Sequence, residues 1–353
     1  MTSRERLLAS MHHEEPDRIP IFKPNMINTR EPYDDGLLAF LDEFEFEFDR
    51  YAFLGGIVDH PNAKRELPGD RFEDGYGCRF EYKGVGMPYC TFSPLARAET
   101  VADVEAFDWP DPDAVTIADD ARDRAREARE GGEHLTVVGV PTLFHRYHYL
   151  RGFERWMLDV RLCPDVHDAI ARHIHHVNTA LLFRLLDEVG EQADMVSTGD
   201  DFGWSAAPYM SPADFRRLVV PFYRDLVGRV KERFPHVAFY LHSHGQITDY
   251  VADLADCGVD VLNPILPLDG MDPAWLKREH GARLCFHGGI DVERILPFGS
   301  VDDVREHCRR VIDILAPGGG YWFKVQAISP VMPPENVIAA YEVAAEHGTY
   351  GRG

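Results

Sequence analysis

The sequence places two histidines, His242 and His244, at the end of the apolar run AFYL, with one serine between them. In a strand, residues i and i+2 point to the same face, so two imidazoles would enter the space beyond the strand side by side. Imidazole is a common zinc ligand, and a catalytic zinc takes three protein ligands and keeps one position open. The same pair also suits ordinary hydrogen bonding where a strand ends. His287, closing the run RLCF, is the geometric choice for a third ligand, and Asp200 or Asp201 comes next. Those two carboxylates stand together in GDDFG (199–203). There they could hold a cation, serve as acid and base, orient a histidine or cap a helix. HGGID (287–291) joins a histidine to two glycines that allow close backbone approach, and Asp291 ends it. His145, Arg146, His148 and Arg151 form a basic cluster that suits an anionic substrate or a solvated helix face. His173, His175 and His176 are spaced wrongly for one helix face and are set aside.

The elements that must carry these residues alternate in type. IPIF (19–22) and RYAFLGG (50–56) read as strands, separated by a helix over 36–48. Residues 68–98, rich in glycine and aromatics, read as one or two hairpins leaving the main fold, and 116–132 as a charged helix. From residue 134 the rhythm is regular. HLTVVGVP, ADMVSTGDD (193–201), HVAFYLHSHG (236–245), VDVLNPI (259–265), ARLCFHGGID (282–291) and GGYWFKVQA (319–327) are strands, each followed by helical sequence. A long helix is expected from Ser211, with Pro212 at its first position and Asp214 in its cap.

Eight short apolar strands alternating with helices predict an α/β fold, a (β/α)8 TIM-type barrel with a hairpin excursion, over one open doubly wound sheet. One domain over 1–353 is the simpler organisation. In such a barrel the chemistry sits at the carboxyl ends of the strands. Those ends collect Lys23, Asn25, His145, Asp200, Asp201, His242, His244, Asn263, His287, Asp291 and Gln326. No GxGxxG or GxxxxGK[ST] follows any strand.

Composition narrows the partners. The 353 residues carry 37 Lys+Arg against 59 Asp+Glu, a formal net charge of -22, which repels a phosphate backbone and argues against nucleic acid. Six cysteines (78, 90, 163, 257, 285, 308) form no CxxC pair and read as free thiols. No apolar run reaches membrane-spanning length, and the first twenty residues have no signal-peptide core, so a soluble, cytoplasmic protein is expected.

Over nearly its whole length the chain resembles the uroporphyrinogen decarboxylase superfamily, which includes corrinoid-linked methyltransferases. The likeness rests on RERLLASMHHEEPDRIPI, LRGFERWMLDV, GDDFGWSAAPYMSPADFRRLVVPFYRDLV, LHSHGQI, GVDVLNPILP, FHGGIDVERILPFGS and PPENVIAA, in the family's order. It implies a (β/α) barrel and a homodimer. True decarboxylases of the family carry an arginine-rich RQAGRY motif after the first strand, where this chain has FKPNMINTREPY, and a later histidine that aligns with Gln326. The methyltransferase branch binds zinc through His-x-Cys and a later Cys. By resemblance His242 is the first ligand, His244 replaces the second, and Gln326 takes the place of the third.

The resemblance is therefore closer to the methyltransferase-like branch. The leading expectation is a zinc-dependent methyltransferase or demethylase with a thiol or corrinoid-protein acceptor. His242, His244 and His287 would hold the metal, and Asp200, Asp201 and His287 would do the chemistry. Lys23, Asn25, His145, Asn263 and Gln326 would bind substrate. The alternative is a decarboxylase of uroporphyrinogen-like or other small carboxylic acids. There Asp201 would stabilise a protonated intermediate, and Lys23, Arg30 or Arg146 would bind carboxylate. A metal-dependent hydrolase or lyase, and a non-catalytic binding barrel, are further readings.

Overall fold

The computed structural model describes residues 1–27, 31–47, 51–53, 65–84, 86–117 and 119–351. Eight parallel strands build one curled sheet: β1 (Ile21–Phe22), β2 (Tyr51–Phe53), β3 (Leu135–Gly139), β4 (Met195–Gly199), β5 (Ala238–His242), β6 (Val261–Asn263), β7 (Cys285–His287) and β8 (Tyr321–Lys324). Their order is β1-β8-β7-β6-β5-β4-β3-β2, the sequential order of a (β/α)8 barrel. Among the described residues no ladder joins β1 to β2. The free edge of β1 is met by Glu47, whose N–H donates to the Ile21 carbonyl (2.9 Å) and whose carboxylate accepts the Ile21 N–H (2.7 Å). Arg6 and Arg18 pair with that buried carboxylate at 2.8 and 3.0 Å.

Alternation along each strand sorts the two faces. Phe22, Leu135, Val137, Met195, Ala238, Tyr240, Val261, Cys285 and Trp322 point inward and pack as one buried cluster. Leu7 and Met11 of α1 (Ser3–Met11) belong to the same cluster, so α1 packs on this inner core. Thr2 and Glu5 form the capping box expected at the start of α1. The alternate residues, such as Ile21, Val138, Val196, Phe239, Leu241, Leu262, Phe286 and Phe323, join the larger core beneath the helices. Each buried aromatic or aliphatic side chain adds about 1.5–3 kcal/mol to that core.

The predicted excursion is present as a four-stranded antiparallel meander, Arg65–Leu67, Arg71–Glu73, Arg79–Glu81 and Tyr89–Phe92. It is held to the barrel by Asp74, which pairs with Arg146, while Tyr76 lies under the same guanidinium (4.5 Å). Three expectations on local structure are corrected. The helix expected over 36–48 is Asp35–Glu43, and the one expected over 116–132 is Ala121–Glu130. The long helix from Ser211 is two, Pro212–Leu218 and Val220–Arg233, with the break ahead of Pro221, which has no N–H to continue the ladder. Of the run RYAFLGG, residues 50 and 54–56 lie outside the described residues, as does Arg30. All six cysteines are free. Among the described residues no helix is long and apolar enough to cross a membrane.

Candidate active site

The carboxyl ends of β4, β5, β6 and β8 meet at one polar cluster, joined there by the helix α2 (Phe144–Arg151) that follows β3. Its centre is Asp201, just past β4. The Asp201 Oδ2 lies 3.3 Å from His145 Nε2, and its Oδ1 accepts the His244 backbone N–H at 2.8 Å. His242 Nε2 stands 3.9 Å from the same Oδ1. Gly245 lets the loop after β5 lie this close. At its positive φ of 93°, a Cβ would fall 2.2 Å from the Gly203 backbone.

The hydrogen bonds assign the protons. Asn263 donates through Nδ2 to the His287 carbonyl (3.1 Å) and to Gln326 Oε1 (3.0 Å), so its Oδ1 must accept. That oxygen is 2.6 Å from His242 Nδ1, which therefore carries the ring hydrogen. His242 Nε2 keeps its lone pair and faces Asp201. Burial, reinforced by His244 and Lys324, pushes the His242 pKa down to about 4, so the ring is neutral at physiological pH. His145 behaves in the opposite way. Burial lowers its pKa, but the bond to Asp201, the charge of Asp200 and the Gly199 carbonyl together raise it above the ordinary value. Asp201 is in turn held well below the usual carboxylate range: burial works against ionisation, and His145, the His244 N–H and His242 outweigh it. The result is a carboxylate paired with an imidazole whose protonated form is favoured, beside a neutral imidazole.

Asp200 is in a different position from its neighbour. Fully buried, it accepts the backbone N–H groups of Leu143 (3.0 Å), Phe144 (2.8 Å) and His145 (2.9 Å) and the Tyr223 hydroxyl (2.6 Å). It caps α2 from across the sheet and thereby holds His145 over the site. Asp200, expected to do chemistry, is thus engaged in holding the start of α2.

Other expected residues are engaged elsewhere. Lys23 turns to Asp42 (3.5 Å), on the exposed side of the chain. Arg151 is locked to Asp159 (2.6 Å) and the Leu95 carbonyl (2.7 Å), and Arg146 to Asp74. His148 lies among Phe144, Phe153 and Trp156. Asp291 accepts the N–H groups of Glu293 and Arg294 in a turn. Gly289 packs toward Val311 on the helix Val301–Leu315, where a Cβ would meet Val311 Cγ1 at 3.1 Å. His173 pairs with Glu105 and His175 with Asp225, outside the site.

The expected zinc ligands are brought together only in part. Among the described residues no three His, Cys, Asp or Glu side chains are grouped as ligands for one ion. His242 and His244 stand close, their ring centroids 5.0 Å apart. The expected third ligand, His287, points into the barrel, its ring 4.4 Å from Phe22 and its Nδ1 3.1 Å from the Tyr240 hydroxyl. Gln326 Oε1 is already an acceptor for Asn263. The structure thus brings His242 and His244 together and turns His287 away from them.

One residue escaped the sequence reading. Lys324 ends β8 facing inward, 6% exposed, and donates to Asn25 Oδ1 at 3.1 Å. Burial lowers its pKa to about 8. The signal was available: in YWFK, alternation puts the lysine on the same face as Trp322, in a strand otherwise free of charge.

Comparison with known proteins matches residues 73–347 to the model of the family described as uroporphyrinogen decarboxylase (URO-D). The chain is 24% identical over 264 residues to uroporphyrinogen decarboxylase 2 of Arabidopsis thaliana, covering 72% of this chain and 62% of that protein. It is 24% identical over 261 residues to uroporphyrinogen decarboxylase of Hordeum vulgare, covering 72% of this chain and 74% of that one. In fold it is similar to a methyltransferase from Methanosarcina mazei, with a TM-score of 0.64 and 19% identity over 98% of this chain and 99% of that chain.

Proposed function

The chain belongs to the uroporphyrinogen decarboxylase family, a family of enzymes, and from that premise we propose that it is a carboxy-lyase acting on a small carboxylic acid by proton transfer. The observation that supports this reading is the charge-paired His145–Asp201 beside the neutral His242. Loss of carbon dioxide from R–CO2⁻ leaves the bonding electron pair on carbon, and one proton must arrive there to give R–H. Where the substrate takes up a proton before carbon dioxide leaves, Asp201, kept ionised by His145, stabilises the resulting positive charge, which the electron pair released with carbon dioxide then neutralises. His145 is the proton reserve, and His242 Nε2 accepts or returns a proton at the substrate N–H or O–H. The Asn263–Gln326 chain keeps His242 in the tautomer this requires. Low-identity likeness to decarboxylases of the family supports the same reading.

Methyl transfer through zinc to a thiol or corrinoid carrier is the competing proposal, favoured by the free lone pair of His242 next to His244. One experiment separates the two. Purified, never-chelated protein is assayed for its metal content and for carbon dioxide release from small carboxylic and pyrrolic acids, with and without chelator. The expected result is release that chelator leaves unchanged. About one zinc per chain, lost in the His242→Ala/His244→Ala double variant, together with methyl transfer and no carbon dioxide, would sink the proposal.

Lys324 sets a pH limit. Its pKa lies below the ordinary lysine value, so it is an ammonium only below about pH 8. A substrate carboxylate facing it loses that cation as the pH rises. KM should therefore climb about tenfold per pH unit above 8, with kcat little changed. Lys324→Arg, whose charge persists past pH 12, should move this limb upward. A KM that stays flat to pH 9.5 in the wild type would show that Lys324 does not meet the substrate.

A further inference from the structure

The inward face of β7 and β8 carries buried polar atoms that no group among the described residues satisfies. Trp322 and Lys324 stand two residues apart on one face of β8, and Trp322 is the register partner of His287 on β7. Trp322 is 0% exposed and His287 2% exposed, with ring centroids 5.4 Å apart. Among the described residues, neither Trp322 Nε1 nor His287 Nε2 has a hydrogen-bond partner. An indole nitrogen can only donate. The Tyr240 hydroxyl stands 3.1 Å from His287 Nδ1; in the tautomer where it donates there, the His287 ring hydrogen lies on Nε2, a second donor. Both are lined by Phe22, which stacks on Trp322 at 5.1 Å, so the surroundings are apolar. Two such buried atoms in one layer carry a desolvation cost, and a phenylalanine at 322 would avoid the part due to the indole. Lys324 adds an ammonium one step nearer the mouth.

We propose that Lys324, Trp322 and His287 form an anion subsite on the barrel floor that anchors a carboxylate of the substrate. This rests on the reading of the substrate as a carboxylic acid, and it answers a need of that reading. Of the cations expected to bind carboxylate, Lys23 and Arg146 are engaged with Asp42 and Asp74, and Arg30 lies outside the described residues. The three donors place an anionic end below the His145–Asp201–His242 set, so the reacting carbon lies toward the mouth. A compact carboxylate, with two acceptor oxygens, matches a point charge beside two N–H donors.

The test is acetate titrated into the full-length protein, followed by the indole ¹H–¹⁵N signals. The Trp322 signal is identified by its loss in Trp322→Phe, which keeps the packed ring and removes the donor. The expected result is a saturable shift of the Trp322 signal. By calorimetry, acetate affinity should fall about fivefold in Trp322→Phe and at least about tenfold in Lys324→Met. An unmoved Trp322 signal, or full acetate affinity in Lys324→Met, overturns the subsite. Failure here is distinguishable from failure of the proposed function. Carbon dioxide release with no acetate effect at Trp322 removes the subsite alone. Acetate binding at Trp322 without carbon dioxide release from any acid removes the carboxy-lyase reading alone.

Discussion

Asp201→Asn should lower kcat by about 10²–10⁴ while leaving the protein folded. The asparagine oxygen can still accept the His244 N–H, so the loop after β5 keeps its anchor. What disappears is the negative charge between His145 and His242. His145 loses its bonded counter-charge, so its raised pKa should fall back, and the proton reserve is lost near neutral pH. The sign of the wild-type pH dependence follows from the two histidines. In the proposed carboxy-lyase, activity requires His242 neutral, which holds above about pH 4, and His145 protonated, which fails as the pH rises through its elevated pKa. Asp201→Asn should therefore also move the alkaline limb to lower pH. The check is kcat against pH, with the His145 ring followed by NMR. Activity within about threefold of the wild type would remove Asp201 from the chemistry.

Asp200→Ala should do the opposite: destabilise the protein first and disturb the chemistry as a consequence. The substitution strands three backbone N–H groups at the start of α2 and the Tyr223 hydroxyl, all in a fully buried setting. At about 1–3 kcal/mol for an unsatisfied buried group, and with partial relaxation, a loss of about 4–6 kcal/mol is expected. Tyr223→Phe, which removes one of the four donors, should cost about 1–2 kcal/mol. Urea denaturation of the three proteins measures both. If Asp200→Ala costs under about 1 kcal/mol, α2 does not depend on that carboxylate.

This contrast between neighbours marks where the sequence stops. GDDFG announces two acids at a strand end, but nothing in the pentapeptide says which one faces the helix after β3 and which faces the site. Asp200 reaches residues 55 to 57 positions earlier in the chain, and that contact exists only once β3 and β4 are paired. The His242–Asn263–Gln326 chain is of the same kind. Its members are 21 and 63 residues apart and meet because β5, β6 and the end of β8 converge on one mouth. The expected third zinc ligand is a related case. An HxH pair is a local feature, whereas a third ligand depends on side-chain direction at another strand, and His287 turns toward Phe22 and Tyr240.

By itself the sequence determined the barrel. Short apolar strands, capping residues and turn residues act within a few positions of one another, so their periodicity states each element locally, and eight repeats of strand and helix leave few architectures. It also determined the level of the site, because polar residues closing apolar strands gather at the carboxyl ends. Only the tertiary structure decided which of them work together. It separated Asp201 from Asp200, drew Lys23 and Arg146 away from the mouth, and brought forward Lys324. Those outcomes depend on burial, charge pairing and hydrogen-bond partners supplied by distant strands, and a linear pattern carries no record of which donor finds which acceptor.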